Sequence, residues 1–462
     1  MVGVFRLSSK NESIIAKRGW VLMEPLLKVE RLLKKHPLCD PCLGRQFALL
    51  GCSLSNKERG AALKRILTMH GHHLALSKKK AGVSILQTVA TNGALNIAAE
   101  VLEKIGKKPG KPRECYLCHE EFSQLGATIN VAVKKLKKYE YSSFLVGVSL
   151  PKEVEEKEDE LKAAFKVSQG ESMRKSLSRV LGKKISRITE KETDFKKPDI
   201  VILLNPFTRK VSIQSNPLYL QGRYRKLIRG LPQSKWICHK CTGTGCQECN
   251  WSGKLYSDSV EEVLVEPMLD ETGGGDAAFH AAGREDVDVR MLGKGRPFIV
   301  EIKRPKKRFL DLPALEHRIN TQKKVTVSNL CFSSKEKIKK LKIAEKSNKV
   351  YKATVLFDRA ISDEKLRVVE NVLTNAIIKQ QTPLRVLHRR ADRLREKRIY
   401  VARIKRLAPR RVDLIIRCDG GLYIKELITG DEGRTDPCVS TLVNAEVKTL
   451  ELDVLKVMTR EF

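Results

Sequence analysis

Through the first quarter of the chain, apolar residues recur at three- and four-residue spacing. LLKVERLLKKHPL (26–38) has this helical period, and a second helical run covers about 56–70. TNGALNIAAEVLEKIGKK (91–108) repeats it and ends in a Gly-Lys-Lys stop, followed by the Pro/Gly/Lys loop GKKPGKPRE (106–114). From about 127 the pattern shifts. ATINVAVKKLKKYEYSSFLVGVSLP (127–151) alternates and is rich in β-branched residues, which predicts extended structure. KEVEEKEDELKAAF (152–165) and ESMRKSLSRVLGKKISRI (171–188) predict helices. DIVILLNPFTRKVSIQS (199–215) predicts two strands around an Asn-Pro turn. The remainder is mixed, with several strands and at least two helices. The chain as a whole is expected to be α+β, without tandem repeats or low-complexity tracts.

Its 462 residues are enough for about three domains. Lys and Arg number 89 against 54 Asp and Glu, a formal charge of +35. An excess this large points to a polyanionic partner, most often nucleic acid. Hydrophobic residues make up 41%, enough for packed cores. No stretch approaches a membrane span. The first twenty residues have neither an apolar leader core nor a cleavage site, so a reducing cytosol or nucleus is expected. There the 12 cysteines are expected as metal ligands or core thiols.

Cys238, Cys241, Cys246 and Cys249 have the spacing C-x2-C-x4-C-x2-C. Each C-x2-C puts two thiolates on one turn, and Gly243 and Gly245 let the turns face each other. Four thiolates suit a tetrahedral Zn2+ with no open position, a structural ion; an iron–sulfur cluster is the alternative. Cys39 and Cys42, with Cys115 and Cys118, fit a second, split site that would clip the helical region together, and His119 could replace one ligand. Cys52, Cys331, Cys418 and Cys438 are expected to pack.

PLYLQGRYRKLIRG (217–230) reads as a basic strip, either solvated or RNA-facing. KRPKKR (303–308) and SSKEKIKKLKIAEKSNK (333–349) read as solvated charged faces. The segment 280–305 is more informative. As a strand it would put Arg284, Asp286, Asp288 and Arg290 on one face and Val287 and Val289 on the other, with Gly-Lys-Gly (293–295) turning into a second strand. An edge hairpin with cross-strand ion pairs explains this blandly. Two carboxylates flanked by arginines, after the small-residue stretch GGGDAAFHAAG (273–283), also fit a site whose carboxylate is held ionised. Neither phosphate-cradling glycine motif is present, so no nucleotide cofactor is expected. Nor is there H-E-x-x-H, the mark of a zinc hydrolase.

Four stretches carry a resemblance: AGREDVDVRMLGKGRPFIVEI (282–302), QQTPLRVLHRRADRLREKRIY (380–400), GGLYIKELITGDEGRTDP (420–437) and PLYLQGRYRKLIRGLPQSKW (217–236). With CDPCLGRQFALLG (39–51), they resemble the Pus-ten family, tRNA pseudouridine synthases acting on T-loop uridines 54 and 55. The resemblance implies a C-terminal pseudouridine synthase fold with a mixed or antiparallel sheet. It also implies an N-terminal module, zinc-containing and helical, then THUMP-like α+β. The expected divisions are a zinc-clipped module at 1–125, a THUMP-like RNA-binding region at 126–235, a four-cysteine insertion at 236–254 and a catalytic domain at 255–462. Asp286 matches the family's catalytic aspartate, with Asp288 as fallback. Lys425 matches the basic residue paired with it, and Tyr351 the tyrosine packed on the target base. Tyr423, Ile424 and Leu452 match neighbours of the uracil pocket. Arg284 is a candidate substrate contact, and His388–Asp392 a candidate phosphate contact. The implied partner is tRNA, gripped at its T-arm. No catalytic cofactor, nucleotide, membrane or protein partner is implied. Two other classes stay open on the residues alone: a non-catalytic zinc-containing RNA-binding protein, and another THUMP-bearing tRNA enzyme such as a methyltransferase. The missing Rossmann-type glycine fingerprint argues against the second.

Overall fold

A computed structural model describes residues 24–344 and 347–458. The reading of the first twenty residues as leaderless lies outside them. The chain is α+β and divides into two compact units at Gln214/Ser215.

The first unit begins with helices α1 (24–35), α2 (Asp40–Gly44), α3 (Asn56–Leu76), α4 (Lys80–Thr91) and α5 (Asn96–Lys104). Ser55 and Glu58 form a reciprocal capping box that starts α3. Glycines let α2 and α3 meet backbone to backbone: a β-carbon at Gly44 would stand 1.8 Å from the Asn56 carbonyl oxygen. α6 (Glu121–Leu136) precedes β1 (Ser143–Val148), α7 (Lys152–Ala164) and α8 (Met173–Thr189). β2 (Glu192–Thr193), β3 (Ile200–Asn205) and β4 (Lys210–Ser215) complete a sheet of order β2-β1-β3-β4, with β1 parallel to both neighbours. The extended structure expected from 127 is helical up to Leu136. Leu125, Thr128, Ile129, Ala132 and Leu136 are its buried residues, a helical spacing that outweighs β-branching.

The second unit is a ten-stranded sheet. Its strands are β5 (Leu218–Lys226), β6 (Asp276–Ala281), β7 (Arg290–Lys303), β8 (Val325–Phe332) and β9 (Lys349–Phe357), then β10 (Ile377–Gln380), β11 (Arg395–Ala408), β12 (Arg411–Cys418), β13 (Thr435–Asp436) and β14 (Val447–Val457). They follow the order β13-β10-β11-β12-β9-β14-β7-β5-β8, with β6 also on β7. Neighbours are antiparallel except β14 and β7, which run parallel at Asp453/Arg290 and Val454/Met291. α9 (Val260–Thr272), α10 (Leu312–Asn320), α11 (Lys335–Ala344), α12 (Asp363–Leu373), α13 (Ile424–Thr429) and α14 (Val439–Val443) are its helices. Tyr224, Phe298, Val355, Leu414, Ile416 and Val454 are among its buried core.

Three expectations change here. Residues 284–289 form a loop, not a strand, and the GGGDAAFHAAG stretch holds strand β6. Gly293 and Gly295, both at positive φ, do not turn the chain; they lie within β7, which continues past them. The basic strip at 217–230 is not one uniform surface: Arg225 is exposed and Arg223 half-buried, while alternate residues turn inward. It is the interior strand β5, with Tyr224 and Lys226 fully buried. Cys418 and Cys438 are buried as expected, whereas Cys52 and Cys331 are exposed.

Candidate functional site

The loop between β6 and β7 carries the carboxylates, and side chains from distant segments converge on it. The Asp286 side chain is 39% exposed, so it is open to solvent and not sealed in the core. Its nearest cation is the Arg385 Nη1 at 3.0 Å, with the Lys425 Nζ at 3.6 Å. Lys425 lies closer to Asp288, donating to both carboxylate oxygens at 2.7 and 2.8 Å. Partial burial alone would raise Asp288, but the Lys425 ammonium outweighs it and holds this carboxyl below the usual range.

Arg385 comes from the short helical turn Leu384–Arg389. Its Nε donates to Glu426 at 2.6 Å, and its guanidinium lies 5.9 Å from the Tyr423 ring centroid. Burial opposes the charge on Arg385, yet Glu426 and Asp286 together hold it firmly protonated. Tyr423 caps α13, its backbone N–H and carbonyl both bonded to the Gln380 amide. Lys425 stands on the first turn of that helix. Tyr351 is partly buried on β9 between Ile416 and Val454, and burial pushes its phenol well up. Ile424 and Leu452, expected to line a base pocket, are buried in the core of the unit. Arg284 is exposed and lies over the Trp236 ring at 5.4 Å.

Beneath the loop is a buried polar network. Glu285 and Arg296, both almost without solvent contact, pair at 2.8 Å. Tyr224 Oη donates to Glu285 at 2.9 Å, and Gln233 donates to that phenol at 2.7 Å and to the Gly283 carbonyl at 2.9 Å. Arg296 also donates to the Ala282 carbonyl at 2.7 Å. The buried Lys226 ammonium donates to the carbonyls of Leu231 at 2.7 Å, Asp286 at 3.0 Å and Val287 at 3.0 Å. Burial brings it down to about 8, although Glu285, Asp288 and Asp286 pull the other way. Arg229 adds bonds to the carbonyls of Asp288 at 2.8 Å and Leu452 at 2.7 Å, which tie the loop to β14. The Asp286 backbone is therefore held from below while its side chain faces outward.

Sequence reasoning missed Arg385, Lys226, Arg229, Glu285, Arg296, Tyr224 and Gln233. A signal for Lys226 was present. Tyr224 and Lys226 alternate with Arg223 and Arg225, so a strand there turns the two pairs to opposite faces. Arg385 was hidden in a segment whose many arginines look alike.

Both four-cysteine groups assemble, the sulfurs of each within 4.8 Å of one another. In the 238–249 group, three separations are 3.7–3.8 Å. Metal–sulfur bonds of about 2.3 Å at tetrahedral angles give an edge of about 3.8 Å. Backbone N–H groups of Gly245, Cys246 and Gly253 point at these sulfurs at 3.2 Å, as thiolate ligands require. Cys39 and Cys118 approach to 3.5 Å across the first unit, so the split site is also brought together. Both groups could hold a metal ion. His119 is not among these ligands and lies 3.7 Å from Glu114.

Residues 219–458 match the family described as Pus10, C-terminal, and residues 129–205 match the archaeal Pus10 THUMP domain. The chain is 42% identical over 437 residues to the "tRNA pseudouridine synthase Pus10" of Methanocaldococcus jannaschii, covering 92% of this chain and 93% of that one. It is 45% identical over 424 residues to the protein of the same name from Methanothermobacter marburgensis, with 91% and 95% covered. Among solved structures, a crystal structure of a Cbf5-Nop10-Gar1 complex is 15% identical with a TM-score of 0.27, covering 50% of this chain and 47% of that one. That likeness is too slight to build on. Among the described residues, no helix is long and apolar enough to cross a membrane.

Proposed function

The chain belongs to the Pus10 family of tRNA pseudouridine synthases, and from that premise we propose that it isomerises T-loop uridines of tRNA with Asp286 as the catalytic carboxylate. The observation that carries this reading is the setting of Asp286: an outward-facing carboxylate with two cations near it, on a loop whose carbonyls are bonded from below by a buried ammonium.

In the reaction the N1–C1′ bond breaks, the uracil turns, and C5 joins C1′. C5 loses its proton to water and N1 gains one, so the atoms balance without a cofactor. Asp286 starts the cleavage, either by attacking the nucleoside or by removing a sugar proton. Arg385 positions this carboxylate directly. Lys425 holds Asp288 beside it and contributes positive charge at 3.6 Å from Asp286. Tyr351 retains the loosened base by stacking. A T-loop uridine must leave its stack first, at a cost of a few kcal/mol. Phosphate contacts from a chain of charge +35 offset that cost.

We assign Zn2+ to both four-cysteine groups. Four thiolates leave no open position, so each ion is structural and takes no part in the isomerisation. Free cysteines and thiolate metal sites fit a reducing cytoplasm.

The test is tritium release from tRNA transcripts carrying C5-tritiated uridine. Release is expected from wild type and not from Asp286→Asn. Transcripts with single uridine replacements identify the position used. Asp286→Asn protein releasing label at the wild-type rate would remove Asp286 from this role.

A further inference from the structure

The 238–249 cysteine module has a feature that neither metal binding nor the isomerisation uses. Trp251 is 77% exposed. Its backbone is left-handed, φ +60°, beside Asn250 at φ +47°. A bulky side chain rarely holds that conformation, which glycine adopts freely. Closure of the module imposes it: the Trp251 N–H donates to the Cys246 carbonyl at 2.8 Å, and the Ser252 N–H to the Cys249 carbonyl at 3.0 Å. The largest side chain thus sits where the smallest would fit most easily, and its ring is given to solvent. Ile237 and Leu255, in the two segments that close the module, are also exposed, at 51% and 43%.

The root of the module is fastened to the loop that carries Asp286. Trp236 receives the Arg284 guanidinium at 5.4 Å and packs edge-on against Tyr256 at 5.6 Å. Gln233, just before it, bonds the Gly283 carbonyl. The Gly230 N–H donates to the Val287 carbonyl at 3.0 Å. The module is therefore fixed relative to the site, and its four thiolates leave it no chemistry of its own. Lys235, His239 and Lys240 are exposed on it.

We propose that Trp251 is a stacking platform for an unpaired base of the RNA substrate, held by the metal module at a fixed position relative to Asp286. The proposal rests on the reading of the chain as a tRNA pseudouridine synthase. A phosphate-seeking charge of +35 brings RNA to the surface without regard to sequence, and an exposed aromatic face distinguishes unpaired bases from paired ones. Loops with unstacked bases are where proteins recognise RNA through aromatic rings.

The test compares zinc-loaded wild type, Trp251→Ala and Trp251→Phe, with metal content measured for each to establish that the module is closed. The chain has three tryptophans, Trp20, Trp236 and Trp251, so the wild-type minus Trp251→Phe difference isolates the fluorescence of the third. Unmodified tRNA is expected to quench that difference signal, and a fully paired RNA duplex of equal charge is not. Trp251→Ala is expected to raise the KM for tRNA about tenfold with kcat within twofold, and Trp251→Phe to return KM to within about threefold of wild type. An unchanged KM in Trp251→Ala, or equal quenching by the duplex, overturns the proposal. So does loss of a protein partner with tRNA binding intact. Inactive wild type would instead overturn the functional reading on which the proposal rests.

Discussion

Replacing Lys226 by methionine separates holding the catalytic loop from holding the fold. Methionine has nearly the same reach and no charge, so the core around position 226 stays filled. The change removes three bonds to carbonyls, at 2.7, 3.0 and 3.0 Å. Two of those carbonyls keep another partner: Asp286 accepts from the Val289 N–H and Val287 from the Gly230 N–H. For a charged donor, at the low end because two acceptors keep a partner, the loss is about 1.5 kcal/mol per bond, roughly 4–5 kcal/mol in all. Against it stands the cost of burying the ammonium. A fall from 10.5 to about 8 corresponds to about 3 kcal/mol. The two terms largely offset, leaving about 1–2 kcal/mol, so Lys226→Met is expected to lower the Tm by only a few degrees. Activity has no such compensation. A catalytic group displaced by about 1 Å costs about a hundredfold, and kcat for tritium release is expected to fall by that factor with KM little changed.

The pH dependence gives a second readout. The folded-state value lies below the unfolded one, so between pH 8 and 10.5 the unfolded chain binds more protons at this group. Its contribution to stability therefore rises with pH across that window, by up to about 3 kcal/mol. Glu285, Asp286, Asp288 and Arg229 face the same ammonium and are present in both proteins, so the wild-type minus variant difference reports on Lys226. Above pH 8 the neutral amine has two N–H groups for three carbonyls, so wild-type kcat should fall as stability gains. Lys226→Met with kcat within threefold of wild type, in a protein that melts cooperatively, would refute the reasoning.

Other expectations concern the buried pair, the metals and the charge. Glu285→Gln leaves Arg296 buried without a countercharge, and unfolding stability should fall by about 3–5 kcal/mol in denaturant titration. Arg385→Ala should lower kcat more than KM for tRNA, because Asp286 loses its nearest cation; an effect confined to KM would assign Arg385 to phosphate binding instead. Metal analysis by mass spectrometry should give about two zinc per chain. Cys118→Ser should lower this by one and destabilise the protein, while Cys241→Ser should remove the other ion. Affinity for tRNA should fall steeply between 50 and 200 mM salt, by roughly a thousandfold if six or more phosphates are contacted; a flat response would contradict electrostatic binding.

Several elements of this architecture were legible in the residue pattern because each depends on short-range geometry. Helices α1, α3 and α5, the hairpin of β3 and β4, and the Cys238–Cys249 module are fixed by spacings of two to five residues, whereas α2 and α4 were not read from the sequence. The segment 127–136 was misread because β-branching and helical spacing compete there, and burial against the core decided for the helix. The loop 284–289 was misread for a related reason. Alternating charged and apolar residues usually mark a strand, but here each carboxylate is claimed by a different distant partner: Glu285 by Arg296, Asp286 by Arg385 and Asp288 by Lys425.

By itself, the sequence pointed to the class of partner, through its charge, and to two four-thiolate groups that could hold metal, through cysteine spacing; the resemblance carried by the Arg-Glu-Asp stretch marked the carboxylate proposed here as reactive. Only the tertiary structure decided which cation serves which carboxylate, and that a lysine in a basic strip is a buried clamp. Charge and period are local properties of the chain. Pairing across 60 to 137 residues depends on how the strands are ordered, and burial turns a common surface residue into a structural one.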